Sequence, residues 1–453
     1  MSDLFRQHVN GNAQPPRPKP KPNGPLSIPE EEAAAPTSPP PCAEEGSIKP
    51  PRPLSTSSTT STDSATSAQT LRPSSPTQEP QQPSSTSTSI STPPPTWQTY
   101  FTSLFHLPHN LSGGQKAIYQ TYITPPLDPK KGPLFICHHG AGASALSFAI
   151  LAQELRLRLP EAGILALSAR SHGSVVNSPA TGEEVLNFAL ETLVTDAETM
   201  INLTQERMGW SHLPPTILVG HSLGGAILTH LASTTPQTSA LGSALVGLSV
   251  LDVVEGSALE ALGFMNAHLA SRPREFASVE DAIEWHLRSR TLRSRRSAEV
   301  SVPDLLVPVP RTNNSTSNSP SGPPPGSEEG SSYTWRTPLP TTVTFWPTWF
   351  TSMSNKFLTA RCGKQLILAG TDRLDKPLMI GQMQGKFQLV VVPEAGHFVH
   401  EDCGAKVAEV LVEFWGRNER GFGGGVGGGN GGGKGGFVMP MKVSEMLERG
   451  MKV

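Results

Sequence analysis

Residues 216–233, TILVGHSLGGAILTHLAS, decide the fold. Thr216 to Val219 form a short apolar run, as a buried strand requires, and residues 225–233 read as a helix. Between them stands Gly220-His221-Ser222-Leu223-Gly224, a G-x-S-x-G pentapeptide. Alone, that pattern recurs by chance; between a strand and a helix it marks a turn so tight that the neighbours of the serine must be small, which explains Gly220 and Gly224. Such a turn lifts the Ser222 hydroxyl above the sheet edge. It also aims the Leu223 N–H, at a helix N-terminus, toward negative charge developing beside the serine.

The same alternation extends in both directions. Residues 117–124 alternate as an early strand would, 132–143 run from a buried strand into a Gly-rich turn, and 144–159 carry a helical period. Residues 163–170 read as a strand, 183–207 as a long amphipathic helix, 245–251 and 364–369 as buried strands, and 386–402 as a last strand and turn before the helix 405–417. Short apolar strands alternating with helices predict the α/β-hydrolase fold over 93–419: a mostly parallel central sheet covered on both faces, with a helical lid at about 255–335. Three segments have the composition of chain without a core: the Pro/Ser/Thr-rich tail 1–92, an insert at 308–332 within the lid, and the Gly-rich linker with its short C-terminal piece, 420–453.

Two further signals join the serine. His138-His139-Gly140-Ala141-Gly142 ends the first strongly buried strand, where this fold supplies a second oxyanion donor, and the Ala141 N–H is the candidate. A base for Ser222 must be a histidine late in the chain on a loop at the same sheet edge; His397 fits, and His400, beside Glu401 and Asp402, reads as a structural or capping residue. The acid that orients the histidine has two homes. Asp252 ends the strand after the nucleophile helix and Asp372 ends the next, the commoner place, so position alone favours Asp372.

A net charge of −2 points to neither nucleic acid nor an anionic membrane as a partner, and no apolar run approaches the ~20 residues of a membrane span. The N-terminus lacks the apolar core of a secretory signal, and Cys42, Cys137, Cys362 and Cys403 show no disulfide spacing, so cytosol or nucleus is expected. No metal-ligand spacing is visible, and no cofactor is expected.

At these residues the chain resembles the protein phosphatase methylesterases. The resemblance rests on GHSLGGAI with LDVVEGSALEAL (251–262), FASVEDAIEWHLRS (276–289) and the segment 368–402, supported by WQTYF (97–101), SALSFA (144–149) and ARSHG (169–173). It covers roughly Trp97 to Trp415 apart from the 308–332 insert. It implies a serine esterase that removes the methyl ester from the C-terminal leucine of the type-2A protein phosphatase catalytic subunit, with Asp252 rather than Asp372 as the acid; separately from the resemblance, a monomer is the default expectation. The chain departs from the family in two places: His-His-Gly-Ala-Gly replaces a run of glycines, and Ser168 stands where an Asp is common, which puts a loop hydrogen bond in doubt.

Within the lid, Arg288, Arg290, Arg293, Arg295 and Arg296 read either as a solvated helix face or as a patch that meets acidic groups on the phosphatase. Two other functions use the same motifs: a general small-ester hydrolase, and a non-catalytic binder that caps the phosphatase through the same groove.

Overall fold

The computed structural model describes residues 95–310, 331–370 and 374–422. The expected tail 1–92, most of the insert, most of the Gly-rich C-terminal region and Asp372 lie outside the described residues.

The nine-stranded main sheet contains β1 (Ser103–Asn110), β2 (Lys116–Thr124), β3 (Leu134–His138), β4 (Gly163–Leu167), β5 (Val175–Asn177), β6 (Thr216–His221), β7 (Leu245–Leu251), and two late strands. Those follow a small three-stranded lid sheet made of β8 (Glu275–Phe276), β9 (Leu306–Pro310) and β10 (Ser331–Trp335), and are β11 (Gly363–Leu368) and β12 (Gln388–Val391). The main order is β1-β2-β4-β3-β6-β7-β11-β12, with β5 paired to β2. The β1, β2 and β5 pairings are antiparallel and every pairing from β4 to β12 is parallel, as the alternating pattern predicts.

The principal helices are α1 (Ala149–Arg158), α2 (Leu190–Met208), α3 (Leu223–Thr234), α4 (Glu255–Ser271), α5 (Val279–Arg288), α6 (Arg295–Ser301), α7 (Trp346–Trp349), α8 (Met353–Thr359), α9 (Lys376–Met383), α10 (Val399–Asp402) and α11 (Gly404–Phe422). The central strands β3, β4, β6 and β7 are buried at every position, because helices cover both of their faces. One cluster packs Met200 of α2 and Ile227 of α3 on Ile136 and Leu218. On the other face Leu151 of α1 and Leu411 of α11 pack on Phe135 and Val219.

Three local readings are corrected. The helix expected over 183–207 begins only at Leu190, because 183–185 is drawn to the β5 edge: Ser178 N–H donates to Glu183 O and Val185 N–H donates to Val176 O. The lid is not purely helical but carries β8, β9 and β10. And β1, which the pattern reading passed over, forms a hairpin with β2 whose turn places Gly113 at φ +76° and Gly114 at φ +78°, a conformation that suits glycine.

Register positions the site. His138 lies opposite Gly220, His221 opposite Leu251, and Leu251 opposite Ile367. The loops leaving β3, β6, β7 and β11 therefore start side by side along one sheet edge, bringing together residues 230 positions apart in sequence only because parallel strands share a C-terminal end.

Candidate active site

Ser222 sits in the turn between β6 and α3 at φ +51° and ψ −120°, a backbone region costly for any residue with a side chain. The surroundings hold it there. Ser222 N–H donates to Leu251 O at 3.1 Å, and the glycines around it leave no room for a Cβ. A Cβ at Gly224 would stand 2.1 Å from His138 O and one at Gly220 would stand 2.5 Å from Gly224 O. The requirement for small neighbours is thus backbone packing: Gly224 against the end of β3, and Gly220 against the first turn of α3.

Asp252 follows β7 directly, also at positive φ (+49°), and is held from three sides. Its N–H donates to Ile367 O, its Oδ1 accepts the Ala369 N–H at 2.7 Å, and its Oδ2 accepts from His397 Nδ1 at 2.7 Å. Both side chains are largely withdrawn from water. The pair fixes the imidazole with its Nδ1 proton toward the carboxylate, leaving Nε2 without a proton when the ring is neutral. Among the described residues no hydrogen bond reaches Ser222 Oγ or His397 Nε2, although Ser222 and His397 line one cavity.

The loop after β3 is built by histidines that burial keeps uncharged. Burial lowers the pKa of His138 and of His172 to about 4, and holds His139 and His221 well below the usual histidine range. As neutral rings they have fixed tautomers. His172 accepts the Gly142 N–H at Nε2 (2.9 Å) and donates from Nδ1 to Arg170 O. His139 accepts the Ala169 N–H at Nε2 (3.0 Å) and donates from Nδ1 to Gly140 O. The Gly142 N–H is therefore engaged, whereas no hydrogen bond among the described residues takes up the N–H groups of Ala141 and Leu223. His221 donates from Nε2 to His397 O at 2.9 Å, so the residue before the serine steadies the backbone of the histidine.

Gly140 presses on this arrangement, since a Cβ there would stand 3.0 Å from both Ser222 Cβ and His221 Nδ1. His400 is not a cap: its ring is fully buried, stacked on Phe148 with centroids 4.4 Å apart and beside His221 at 4.6 Å. At Ser168 the doubted hydrogen bond is absent among the described residues, for the buried Oγ has no partner there.

These residues open onto a cavity of about 150 Å³. Leu262, Met265 and Leu269 of the lid helix α4 line it together with Trp346, Trp349 and Phe350, so the space beside Ser222 is mostly apolar. Arg272 and His286 of the lid and Glu401 of α10 also line it. The lid arginines meet the chain's own groups: Arg295 reaches Glu280 at 3.1 Å and also Glu284, Arg296 reaches Glu154 at 3.8 Å, and Arg293 reaches Asp402 at 3.9 Å. Arg288 is exposed. No group of three or more metal-ligating side chains occurs among the described residues, and no helix among them is long and apolar enough to cross a membrane.

Sequence reasoning missed His172 and the Ala369 N–H. The first lay within the quoted ARSHG stretch, but nothing in sequence says that its Nε2 returns to the loop after β3. The second is a backbone group and has no residue signature.

Comparison with known proteins agrees with this architecture. The alpha/beta hydrolase family model matches residues 135–410. A protein phosphatase methylesterase 1 of Neurospora crassa is 45% identical over 389 residues, which covers 81% of this chain and 81% of the relative. The protein of the same name from Aspergillus fumigatus is 46% identical over 352 residues, 78% of this chain and 76% of the relative. That of Schizosaccharomyces pombe is 42% identical over 326 residues, 71% and 85%.

Proposed function

Because the chain belongs to the protein phosphatase methylesterase family of α/β-hydrolases, and is thus a carboxylic ester hydrolase, we propose that it hydrolyses the C-terminal leucine methyl ester of the type-2A protein phosphatase catalytic subunit with Ser222 as nucleophile, His397 as base and Asp252 as acid. The observation that carries this assignment is the 2.7 Å bond from His397 Nδ1 to an Asp252 carboxylate whose other oxygen is already held by the Ala369 N–H.

The steps follow from the donors present. His397 Nε2 takes the proton from Ser222 Oγ as the oxygen attacks the ester carbonyl carbon. The carbonyl oxygen becomes an oxyanion, which the Ala141 and Leu223 N–H groups receive at the N-terminus of α3. His397 then gives its proton to the departing methoxy oxygen, releasing methanol and leaving the acyl group on Ser222. A water molecule attacks that acyl group, again passing its proton to His397, and the leucine carboxylic acid leaves as Ser222 regains its proton. Positive charge appears on the imidazole twice, and the Asp252 carboxylate favours it each time.

The test is methanol release from carboxymethylated phosphatase catalytic subunit. Wild type should release it and Ser222→Ala should not, while keeping the same melting temperature. A folded Ser222→Ala protein that still releases methanol at the wild-type rate would remove the serine from the mechanism. A wild type that cleaves simple esters yet leaves the phosphatase methylated would indicate a general esterase.

A further inference from the structure

Among the described residues that line the cavity beside Ser222, Arg272 is the one arginine or lysine. It caps the C-terminus of α4 and lines the same cavity as Ser222, yet no carboxylate comes within salt-bridge distance of its guanidinium among the described residues. It is held all the same. Its Cζ lies 3.7 Å above the centroid of the Trp335 ring, and Trp335 is itself fixed by a 2.7 Å bond from Nε1 to Pro273 O and by edge contacts with Phe276 and Trp285. A guanidinium stacked on a ring has its face engaged and its N–H donors directed outward in the plane. Burial lowers its pKa to about 10, so it is charged at neutral pH. The histidines beside it offer no negative charge to offset it: burial lowers the pKa of His268 and His286, and the Arg272 charge lowers both further, so both rings are neutral.

A planar fork of donors, oriented and desolvated but lacking an acceptor, is complementary to a carboxylate that binds through both oxygens. Resting on the methylesterase reading above, we propose that Arg272 is a specificity-determining residue that receives the side-chain carboxylate of an acidic residue in the substrate's C-terminal peptide, upstream of the esterified residue. The ester itself cannot be the ligand, because methylation has removed the charge of the terminal carboxylate. One guanidinium with neutral histidines beside it matches the single charge of a carboxylate better than the near-double charge of a phosphoryl group.

The test uses full-length Ser222→Ala protein, which binds without turnover, and calorimetric titration with short peptides ending in leucine methyl ester. Each of the three positions before the leucine carries Asp in one peptide and Asn in its counterpart. At one position the Asp peptide should bind about 10- to 100-fold more tightly. Adding Arg272→Gln should abolish that preference, and Arg272→Lys, which keeps charge but not the fork, should restore only part of it. Equal affinities for Asp and Asn at every position, or a preference that survives Arg272→Gln in a protein of unchanged melting temperature, would overturn the proposal. A phosphoserine peptide that binds more tightly than the Asp peptide and depends on Arg272 would overturn the carboxylate assignment. Failure of the methylesterase reading is read separately, as absence of methanol release by wild type, and leaves the binding result standing.

Discussion

Asp252→Asn is the substitution that asks most of the site. The two carboxylate oxygens accept two bonds of 2.7 Å, one from the Ala369 N–H and one from His397 Nδ1. Asparagine has a single acceptor oxygen and an NH2 that can only donate. If the oxygen stays with Ala369, the NH2 faces His397 and the ring must turn its bare nitrogen toward it, moving the proton to Nε2, where the Ser222 proton has to go. If the oxygen turns to His397, the NH2 meets a buried backbone N–H, donor against donor, at a cost of about 1–3 kcal/mol. The first arrangement is cheaper, so the protein should fold with its melting temperature shifted by no more than about 4 °C. The wrong tautomer should then lower kcat by about 10⁴-fold, equivalent to about 5–6 kcal/mol of barrier, with KM little changed. Methanol release from methylated phosphatase, followed at saturating substrate alongside a thermal melt, measures both. A folded Asp252→Asn protein with kcat within tenfold of wild type would refute the reasoning, and loss of activity in Asp372→Asn instead would transfer the role to that residue.

Other substitutions test the shell around the site. Gly224→Ala should destabilise the domain by several kcal/mol, roughly the tail of the mutational distribution, because its Cβ would meet His138 O at 2.1 Å and backbone cannot give way; a melt of the variant decides it. By contrast Gly263→Ala in α4, where a Cβ meets nothing within 4 Å, should raise stability by about 0.4–1 kcal/mol in the same melt. Replacing His172 by Phe removes the acceptor for Gly142 N–H, and kcat should fall about 10- to 100-fold with KM held, read from the same methanol-release assay. Burial raises the Glu401 pKa from the usual 4.5 to about 8, outweighing the Ser301 and Ser297 hydroxyls, so its contribution to stability is present below about pH 4.5 and is lost as pH climbs toward 8. Glu401→Gln should therefore show a flatter decline of urea-unfolding free energy between pH 5 and 8 than wild type; parallel slopes would contradict this.

The parts of the fold that could be read from sequence are those in which one residue type answers one physical need. Gly220 and Gly224 were readable because no other residue fits against backbone, and the all-apolar runs at 134–138 and 216–219 because only a strand covered on both faces tolerates them. The short lid strands were not, since Glu275–Phe276 is two residues long and finds its partner at 333–334, far beyond any periodic signal. The onset of α2 was missed for a related reason. The helical period of 183–189 is real, but backbone pairing to β5 outweighs it. For the acid, strand position pointed to Asp372. Family resemblance pointed to Asp252, and it is Asp252 that meets His397.

The arginines carry the same lesson further. Five of them within 288–296 drew attention by density, yet Arg295 is shared among Glu280, Glu284 and Glu299, Arg296 leans on Glu154, and Arg293 on Asp402. The exposed pairs of Arg295 contribute about 0–1 kcal/mol each, and the charge of Arg293, Arg295 and Arg296 is offset within the chain before any partner arrives. Arg272 lies outside that run, with only Arg274 and Glu275 charged close by in sequence, and no pattern marks it. What distinguishes it is a lack of carboxylate partners among the described residues combined with fixed orientation: an indole beneath it, neutral histidines around it and the cavity beside Ser222 in front. Recognition of a charged substrate depends on charge that the protein has not already neutralised, and on that ground the proposal rests on Arg272 over Trp335 rather than on Arg293, Arg295 and Arg296.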